Sequence, residues 1–363
     1  MRKLFVLTTW LIWGGTGLIL IIYAPYSWQC TAGAVDAAIF NPQSSAILLE
    51  HAGGSDIQIW NGNSEQPVST FGVGHIAAVM PIAFSPDGQT VLIADDKLVK
   101  LWDVQSGTLL HTLRGHTLAV WGVAFSLDGK IVLTGGADCQ IKLWNAQSGA
   151  LLRTLHGSPA EVTSVAFSPD SKIVLTGGYD DAANLWDAQS GALLHTLHGH
   201  IGQVTSVTYS PDGKTVLTGS RDGTAKLWDT QSGALLHTLQ GHTFAVTSVA
   251  YSPDSKTVLT GSGDSTAKLW DEQSGALLVT LNGHTRPVTS VAFSPDGKTV
   301  LTGSRDGTAK LWDAQSGNPI RPLCPLLLGP QWVWLGAGLW VTSLIAALWH
   351  LQRDWHSRSY ASA

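Results

Sequence analysis

Short stretches in the middle of the chain alternate hydrophobic and polar residues, and the same stretches return at a fixed distance. The clearest unit runs from residue 199 to residue 239 and reads GHIGQVTSVTYSPDGKTVLTGSRDGTAKLWDTQSGALLHTL. Its segment Val204–Ser210 has the period-two alternation of a half-buried β-strand. Three further strand-like runs, separated by Pro-Asp-Gly and Gln-Ser-Gly turn signals, are Thr215–Thr218, Thr224–Asp229 and Ala234–Leu239. The pattern predicts four short strands in each unit.

Seven tryptophans mark seven copies of this unit, each 42 residues after the one before. They are Trp60, Trp102, Trp144, Trp186, Trp228, Trp270 and Trp312, of which the first and third precede Asn and the others precede Asp. A lone four-stranded sheet would leave both apolar faces in water, whereas sheets packed radially in a ring bury those faces and keep only short edges. We therefore predict an all-β fold, a seven-bladed β-propeller closed within one chain.

The composition agrees with such a fold and narrows the function. Only 13% of the residues are charged, against about 25% in ordinary globular chains, and the chain has 39 Gly and 16 Trp. The net charge of −5 gives no reason to expect the clustered basic surface that binds phosphate, so we expect no nucleic-acid partner. The three cysteines are too few for a disulfide-built fold, and none lies in a zinc-ligand cluster.

Gly-His near the start of most units and Trp-Asp near the end make the chain resemble the WD-repeat family over residues 34–324. The resemblance implies seven blades, each braced by a buried hydrogen-bonded set of His, Ser or Thr, Asp and Trp. Four units match this set fully. The four tetrads are His116, Thr134, Asp138, Trp144; His200, Thr218, Asp222, Trp228; His242, Thr260, Asp264, Trp270; and His284, Thr302, Asp306, Trp312.

The combination of Asp, His and Thr could also suggest a catalytic triad. A triad needs an exposed nucleophile that faces a pocket with an oxyanion hole. Here the same set occurs four times beneath a Trp, which favours a structural role. The chain has no Walker loop, GxSxG elbow, HExxH or kinase motif. We expect a non-catalytic protein with no cofactor and no metal site.

Three units depart from the tetrad pattern. Ser158 replaces His in the fourth unit, and the second unit lacks the hydroxyl although it keeps His75, Asp96 and Trp102. The first unit has neither Gly-His nor the usual Asp. We hypothesise that local stability is lowest in blades one and two.

Two hydrophobic segments without charge flank the repeats, 20 residues at 4–23 and 24 residues at Leu326–Trp349. Either is long enough to cross a hydrocarbon core of about 30 Å. We predict transmembrane helices at 4–23 and 326–351, a basic tip at 1–3, a linker at 24–33 and a polar tail at 352–363. A signal peptide removed near Ala32-Gly33-Ala34 is the alternative for the first segment, and a buried core helix for the second.

Few basic residues set the expected orientation. Arg2 and Lys3 precede the first segment, and Arg353 and Arg358 follow the second. The positive-inside rule places both tips in the cytoplasm and the propeller on the non-cytoplasmic side, with a cytoplasmic propeller as the alternative. In the WD-repeat family each blade begins with its innermost strand and ends with its outermost one. Both ends of the ring therefore lie on the face of the Gly-His loops, which would point toward the bilayer.

Two of the three cysteines lie beside the hydrophobic segments, at the junction of blades one and seven. We hypothesise a disulfide between Cys30 and Cys324 in an oxidising compartment. Two unpaired thiols are the alternative. Cys139, beside Asp138 of a tetrad, is expected to be an unpaired loop thiol.

Positions that vary between otherwise near-identical units are candidates for partner binding. Most lie in the Gly-His loops and beside the tetrad Asp, which line one rim of the central channel in related propellers, and Trp121 stands where other units have Thr or Ser. Aromatic residues and Arg dominate binding hot spots. The candidate anchors are Trp121, Tyr179, Arg221, Phe244, Arg286 and Arg305. Neutral variation at exposed loops is the alternative interpretation.

These features together predict a non-catalytic protein-interaction scaffold that both ends hold at a lipid bilayer, with one or more protein partners. The alternative function is a membrane-anchored sensor or ligand-binding propeller whose central channel takes a small molecule or peptide.

Overall fold

A computed structural model describes residues 12–14, 17–19, 34–44, 46–51, 56–61, 67–72 and 81–323. From residue 35 onward, these residues form seven four-stranded antiparallel sheets, one for each sequence unit. Each sheet is built from four consecutive strands of the chain. The seven-bladed propeller predicted from the repeat is thus confirmed.

The strand bounds repeat closely from blade to blade. The innermost strands are Val35–Phe40, Ile82–Phe84, Val120–Phe125, Val162–Phe167, Val204–Tyr209, Val246–Tyr251 and Val288–Phe293. The second strands are Ala46–His51, Thr90–Asp95, Ile131–Gly136, Ile173–Gly178, Thr215–Ser220, Thr257–Ser262 and Thr299–Ser304. The third strands are Asp56–Asn61, Leu98–Asp103, Ile141–Asn145, Ala182–Asp187, Ala225–Asp229, Thr266–Asp271 and Ala309–Asp313. The outermost strands are Pro67–Gly72, Leu109–Arg114, Leu151–Leu155, Leu193–His198, Leu235–Leu239, Leu277–Asn282 and Pro319–Leu323.

The hydrophobic core is divided into seven clusters, and each cluster joins two neighbouring blades. Between blades five and six, for example, Leu217 and Leu227 of one blade pack against Val246, Tyr251 and Trp270 of the next. Equivalent clusters join every other pair of neighbours, including blades seven and one. Burial of apolar surface between blades therefore holds the ring together.

Close contact between blades depends on a glycine in the second strand. A Cβ on Gly219 would lie 2.7 Å from Cγ1 of Val246, on the innermost strand of the next blade. Gly177, Gly261 and Gly303 meet the next blade in the same way. In blade one this position is Glu50, which is buried. The junction between blades one and two is therefore packed differently from those that have glycine at this position.

The loops divide between two faces of the ring. One face carries the loops that enter each innermost strand and those that join the second and third strands; we call it the Gly-His face. The other carries the turns between the first and second strands and between the third and fourth strands; we call it the Ser-Pro-Asp face. In its turns a Ser hydroxyl binds the Asp two residues later, as Ser210 Oγ does with Asp212 at 2.7 Å, and Gly213 has the positive φ of 74° that tight turns need.

The first hydrophobic segment differs from the prediction where the structure describes it. Ile12–Gly14 and Gly17–Ile19 pair as two short antiparallel strands, not as part of a helix. Gly14 and Gly17, which lie in these strands, help to explain this, because glycine disfavours the helix interior. Within the described residues, no helix is long and apolar enough to cross a membrane. The remainder of 4–23, and all of 326–351, lie outside the described residues.

Candidate functional site

In blade five the four side chains of the tetrad form one continuous chain of hydrogen bonds. Nδ1 of His200 lies 2.8 Å from the Asp222 carboxylate, and its Nε2 lies 2.8 Å from Oγ1 of Thr218. The indole Nε1 of Trp228 donates to the same Thr oxygen at 2.9 Å. The Asp lies on the loop between the second and third strands and the His precedes the innermost strand, so the set ties two loops of the Gly-His face to the sheet.

Blades three, six and seven repeat this geometry. The His-to-Asp distances are 2.9 Å in all three, the His-to-Thr distances are 2.7–2.8 Å, and the Trp-to-Thr distances are 2.8–2.9 Å. The structure therefore brings together every member of the four tetrads named from the sequence. The imidazoles are almost completely buried, with side-chain exposures of 0–1%.

A neutral imidazole with its proton on Nδ1 satisfies each tetrad completely. The Nδ1–H donates to the carboxylate, Nε2 accepts from the Thr hydroxyl, and the Thr oxygen accepts from the indole N–H. The pKa shifts of the histidines agree with a neutral imidazole. Burial lowers the pKa of His116, His200 and His242, although the facing carboxylate opposes the shift.

The tetrad carboxylates carry the charge of the set. Burial alone would raise the pKa of Asp222, but hydrogen bonds from the Thr224 hydroxyl, His200 and two backbone N–H groups hold it below its usual value. The pKa of Asp306 is depressed further by the corresponding hydrogen bonds from His284 and Thr308. A buried carboxylate that accepts several hydrogen bonds stays ionised at neutral pH.

The Gly of each Gly-His pair is explained by the Trp of the tetrad. A Cβ on Gly199 would lie 3.1 Å from Cη2 of Trp228, and a Cβ on Gly115 would lie 3.0 Å from the same atom of Trp144. Gly241 and Gly283 face their tryptophans at 3.2 and 3.0 Å. A larger residue would push the indole away from the Thr hydroxyl, so the dipeptide and the tryptophan belong to one packing unit.

Two of the irregular blades lack the complete set, as their sequences indicate. In blade four Trp186 still donates to Thr176 at 3.0 Å, while the hydroxyl of Ser158 donates to the carbonyl of Ala160. In blade two the buried Nε1 of Trp102 has no hydrogen-bond partner among the described residues, because Ile93 occupies the strand position of the Thr. His75 lies outside the described residues.

A second set of polar contacts, which the sequence reasoning missed, joins the innermost strands. Thr205 Oγ1 lies 2.6 Å from the carbonyl oxygen of Val246 on the next blade, and the Ser206 hydroxyl accepts from the backbone N–H of Val249 at 3.2 Å. The bridged junctions are those of blades four with five, five with six, six with seven and seven with one. The Val-Thr-Ser-Val sequence repeated in the innermost strands could have indicated these contacts. At the same two positions blades one, two and three have Asp36-Ala37, Met80-Pro81 and Trp121-Gly122, which carry no hydroxyl.

The six candidate anchors all lie on the Gly-His side of the ring. Trp121 and Tyr179, on neighbouring blades, form an aromatic pair with ring centroids 5.6 Å apart. Phe244, Arg221, Arg286 and Arg305 are exposed, with 66% of Phe244 accessible to solvent. The positive charge of Arg305 also acts on the buried Asp36 of blade one, whose pKa burial nevertheless raises.

One exposed residue of this rim was not among the candidates. Ile201, directly after the tetrad His200, is 88% exposed. The corresponding residue is Thr117, Thr243 or Thr285 in the other complete blades. This replacement of a polar by an apolar residue was the signal that could have identified it. The rim therefore carries Ile201 and Phe244 on adjacent blades five and six.

Of the three cysteines only Cys139 lies among the described residues. It is an unpaired, partly buried thiol, and its pKa is raised by burial and by the nearby Glu161 and Asp138. Cys30 and Cys324 both lie outside the described residues, so their disulfide remains a prediction.

The closed ring and its repeated His–Thr–Asp–Trp tetrads define a β-propeller of the WD-repeat class. Six consecutive stretches match the WD domain, G-beta repeat family, at residues 65–103, 107–145, 149–187, 191–229, 233–271 and 275–313. These stretches cover more than half of the chain, which therefore belongs to the WD40 family. The three inner strands of blade one precede the first match, in agreement with the departures in its sequence.

Curated relatives match only part of this chain. The nuclear distribution protein PAC1 of Arthroderma benhamiae is 31% identical over 117 residues, which cover 30% of this chain and 25% of that protein. The WD repeat-containing protein srw1 of Schizosaccharomyces pombe is 35% identical over 68 residues, which cover 17% of this chain and 12% of that protein. The chain thus matches a quarter or less of the length of these relatives.

Proposed function

We propose that the protein is a non-catalytic interaction scaffold that binds a protein partner on its Gly-His face. The observation that carries the proposal is the exposed apolar and cationic rim, to which blades five to seven contribute Ile201, Arg221, Phe244 and Arg286 on loops of the Gly-His face. Aromatic residues and arginines are the side chains that most often dominate protein interfaces. Their exposure to solvent on these loops favours a role in binding over a role in packing.

The tetrads support this function by holding the rim in place. The backbone N–H of Thr243 donates to the carboxylate of Asp264 at 3.0 Å, one residue before Phe244. In blade five the N–H of Ile201 donates to Asp222 at 3.1 Å. The buried polar sets therefore fix the backbone that carries the exposed anchors. A preorganised loop loses little conformational entropy on binding.

The buried position of the tetrads argues against catalysis by them. His200 and Asp222 have side-chain exposures of 0% and 4%, so a substrate could not reach either group without opening the blade. Among the described residues, no three His, Cys, Asp or Glu side chains gather as a metal site. The proposed binding function requires neither a catalytic group nor a metal ion.

The rim is tested by affinity capture of the tagged full chain after cross-linking in cells, with quantitative mass spectrometry. The comparison uses the wild type, the rim variant Phe244→Ala/Arg286→Ala and the control variant Leu127→Ala. Leu127 is 64% exposed but lies on the Ser-Pro-Asp face. We expect partners common to wild type and control to fall about tenfold or more with the rim variant. Equal recovery with all three proteins, at unchanged melting temperature, would contradict the proposal.

We also propose that the chain is attached to a membrane. The support is the two uncharged hydrophobic segments that flank the repeats, of which the second, Leu326–Trp349, has 24 residues, enough for a membrane-spanning helix. Extraction of a membrane fraction with alkaline carbonate should leave the protein in the pellet, and protease added outside intact cells should reach the propeller. Release by carbonate would contradict the attachment, and cleavage only after lysis would reverse the orientation.

A further inference from the structure

A cleft of about 750 Å³ opens between blades six and seven on the Ser-Pro-Asp face. Leu278, Val279, Phe293 and Ala314 give it an apolar lining, and Thr257 contributes a hydroxyl. The volume is within the range of about 300–1,000 Å³ that is usual for ligand sites. The cleft lies on the face opposite the proposed rim, so it is independent of the function proposed above.

The preceding junction, between blades five and six, shows what closes the same position. The hydroxyl of Tyr251 lies 2.8 Å from Thr215 Oγ1, which donates to the carboxylate of Glu272 at 2.9 Å. Farther out, Nε2 of His237 lies 2.9 Å from the carbonyl oxygen of Gln273. Four polar side chains, Tyr251, Thr215, Glu272 and His237, thus bridge this junction.

Three of these four side chains are replaced by apolar residues at the junction of blades six and seven. The counterparts are Phe293 for Tyr251, Ala314 for Glu272 and Val279 for His237. The counterpart of the buried Thr215 is Thr257, which is more exposed. The junction of blades six and seven therefore has an open apolar cleft at the position where polar contacts close the junction of blades five and six.

The edge of the cleft is acidic. Asp254, Asp296 and Asp313 line it together with one cation, Lys298. Hydrogen bonds from serine hydroxyls and backbone N–H groups lower the pKa of each Asp, so the three are ionised at neutral pH. The serine hydroxyl bonds to Oδ1 of each of the three aspartates. An apolar surface bordered by excess negative charge is complementary to an apolar group with a neighbouring positive charge.

We propose that this cleft binds an extended peptide segment of a partner protein in which a large apolar side chain adjoins Lys or Arg. The apolar side chain packs on Val279, Phe293 and Ala314, and the cation pairs with Asp254 or Asp313. The exposed side chain of Leu278 extends the apolar surface along the outermost strand of blade six.

The proposal is tested by fluorescence anisotropy with labelled heptapeptides and the full chain. The probes contain Leu-Arg, Leu-Glu or Gly-Arg pairs in a common Gly-Ser background. We expect saturable binding of the Leu-Arg probe, and binding about tenfold or more weaker for the other two. No saturable binding of the Leu-Arg probe, or equal binding of all three, overturns the proposal.

The matched variant Phe293→Tyr/Ala314→Glu copies the closed junction into the cleft. A Tyr and a Glu already pack together beside Thr215 at the neighbouring junction. The variant should therefore fold with an unchanged or higher melting temperature, and it should no longer bind the Leu-Arg probe. Asp313→Asn removes one charge but keeps the turn, since Asn145 accepts the same two serine hydrogen bonds in blade three. It should weaken binding several-fold. Undiminished binding by both variants, or loss of binding with the rim variant Phe244→Ala/Arg286→Ala, overturns the site.

Discussion

At the residue scale the tetrad shows why particular side chains recur at particular spacings. The hydrogen bonds run in one direction, from the Trp N–H to Thr, from Thr to His and from His to the Asp carboxylate, so every polar group of the set has a partner. Blade two illustrates the cost of an incomplete set, because the buried indole N–H of Trp102 lacks a partner among the described residues. The tetrad is thus a packing unit that also fixes the loops above it.

Removal of the central hydroxyl should destabilise the protein. In Thr218→Val, the indole of Trp228 and Nε2 of His200 both lose their partner, while the size of the side chain is kept. We expect a loss of about 1–3 kcal/mol in the free energy of unfolding, measured by denaturant unfolding. The control Thr243→Val changes an exposed residue and should stay within about 0.5 kcal/mol. Equal effects of the two substitutions would contradict the role given to the tetrad.

Acid should weaken the fold in two steps. The folded-state pKa of His116, His200 and His242 lies below the ordinary value of 6.5, so below that pH the unfolded chain binds protons that the folded chain excludes. The tetrad aspartates have lowered pKa values, and their contribution is lost only as the pH falls below about 4. The melting temperature should therefore fall between about pH 7 and pH 5 and fall again in stronger acid. A constant or rising melting temperature over the first interval would contradict this account.

At the element scale the ring has two kinds of junction. Four junctions are bridged by a Thr and a Ser of the innermost strands. The other three, those of blades one with two, two with three and three with four, have no hydroxyl at the positions of this Thr and Ser. Each of those three junctions also involves a blade without a complete tetrad. This distribution gives a structural reason for the hypothesis that blades one and two are locally least stable.

Hydrogen exchange measures this difference directly. Amides of Val35–Phe40 and Ile82–Phe84 should exchange faster than those of Val204–Tyr209 and Val246–Tyr251, which belong to bridged blades with complete tetrads. In the variant Thr247→Val/Ser248→Ala the exchange of Val288–Phe293 should accelerate as well, because both bridges to that strand are lost. Uniform protection across all innermost strands would contradict the assignment.

The sequence predicted the elements better than the contacts between them. The period-two segments and the turn dipeptides were enough for the strands of each blade, and a fixed spacing was enough for the number of blades. Side-chain contacts between blades were not predictable, because they depend on the distance between sheets that no single repeat contains. The Thr205 bridge and the partner of Tyr251 are two such contacts. The helix prediction at Ile12–Gly14 and Gly17–Ile19 differs from the structure for another reason: it gave more weight to hydrophobicity than to the glycines in the sequence.

At the scale of the whole molecule the ring closes without exchange of strands. Blade one uses only the first four propeller strands and blade seven only the last four. Closure therefore depends on side chains: Val35 and Ala38 pack against Leu301 and Leu311, and Thr289 Oγ1 lies 2.6 Å from the carbonyl oxygen of Val35. The rim on one face and the cleft on the other both require this closure, because each draws on neighbouring blades.

Disulfide trapping across the closing junction tests the ring most directly. A Cβ at Gly303 lies 3.7 Å from the Cβ of Val35, within the range of disulfides. In a background with the three native cysteines changed to Ser, the pair Val35→Cys/Gly303→Cys should form a linked peptide after mild oxidation, detectable by mass spectrometry. The control pair Gly261→Cys/Val288→Cys has 3.6 Å between the same atoms and should also link. Linkage of the control without linkage of the closing pair would show that blades one and seven do not meet, and would contradict the closed propeller.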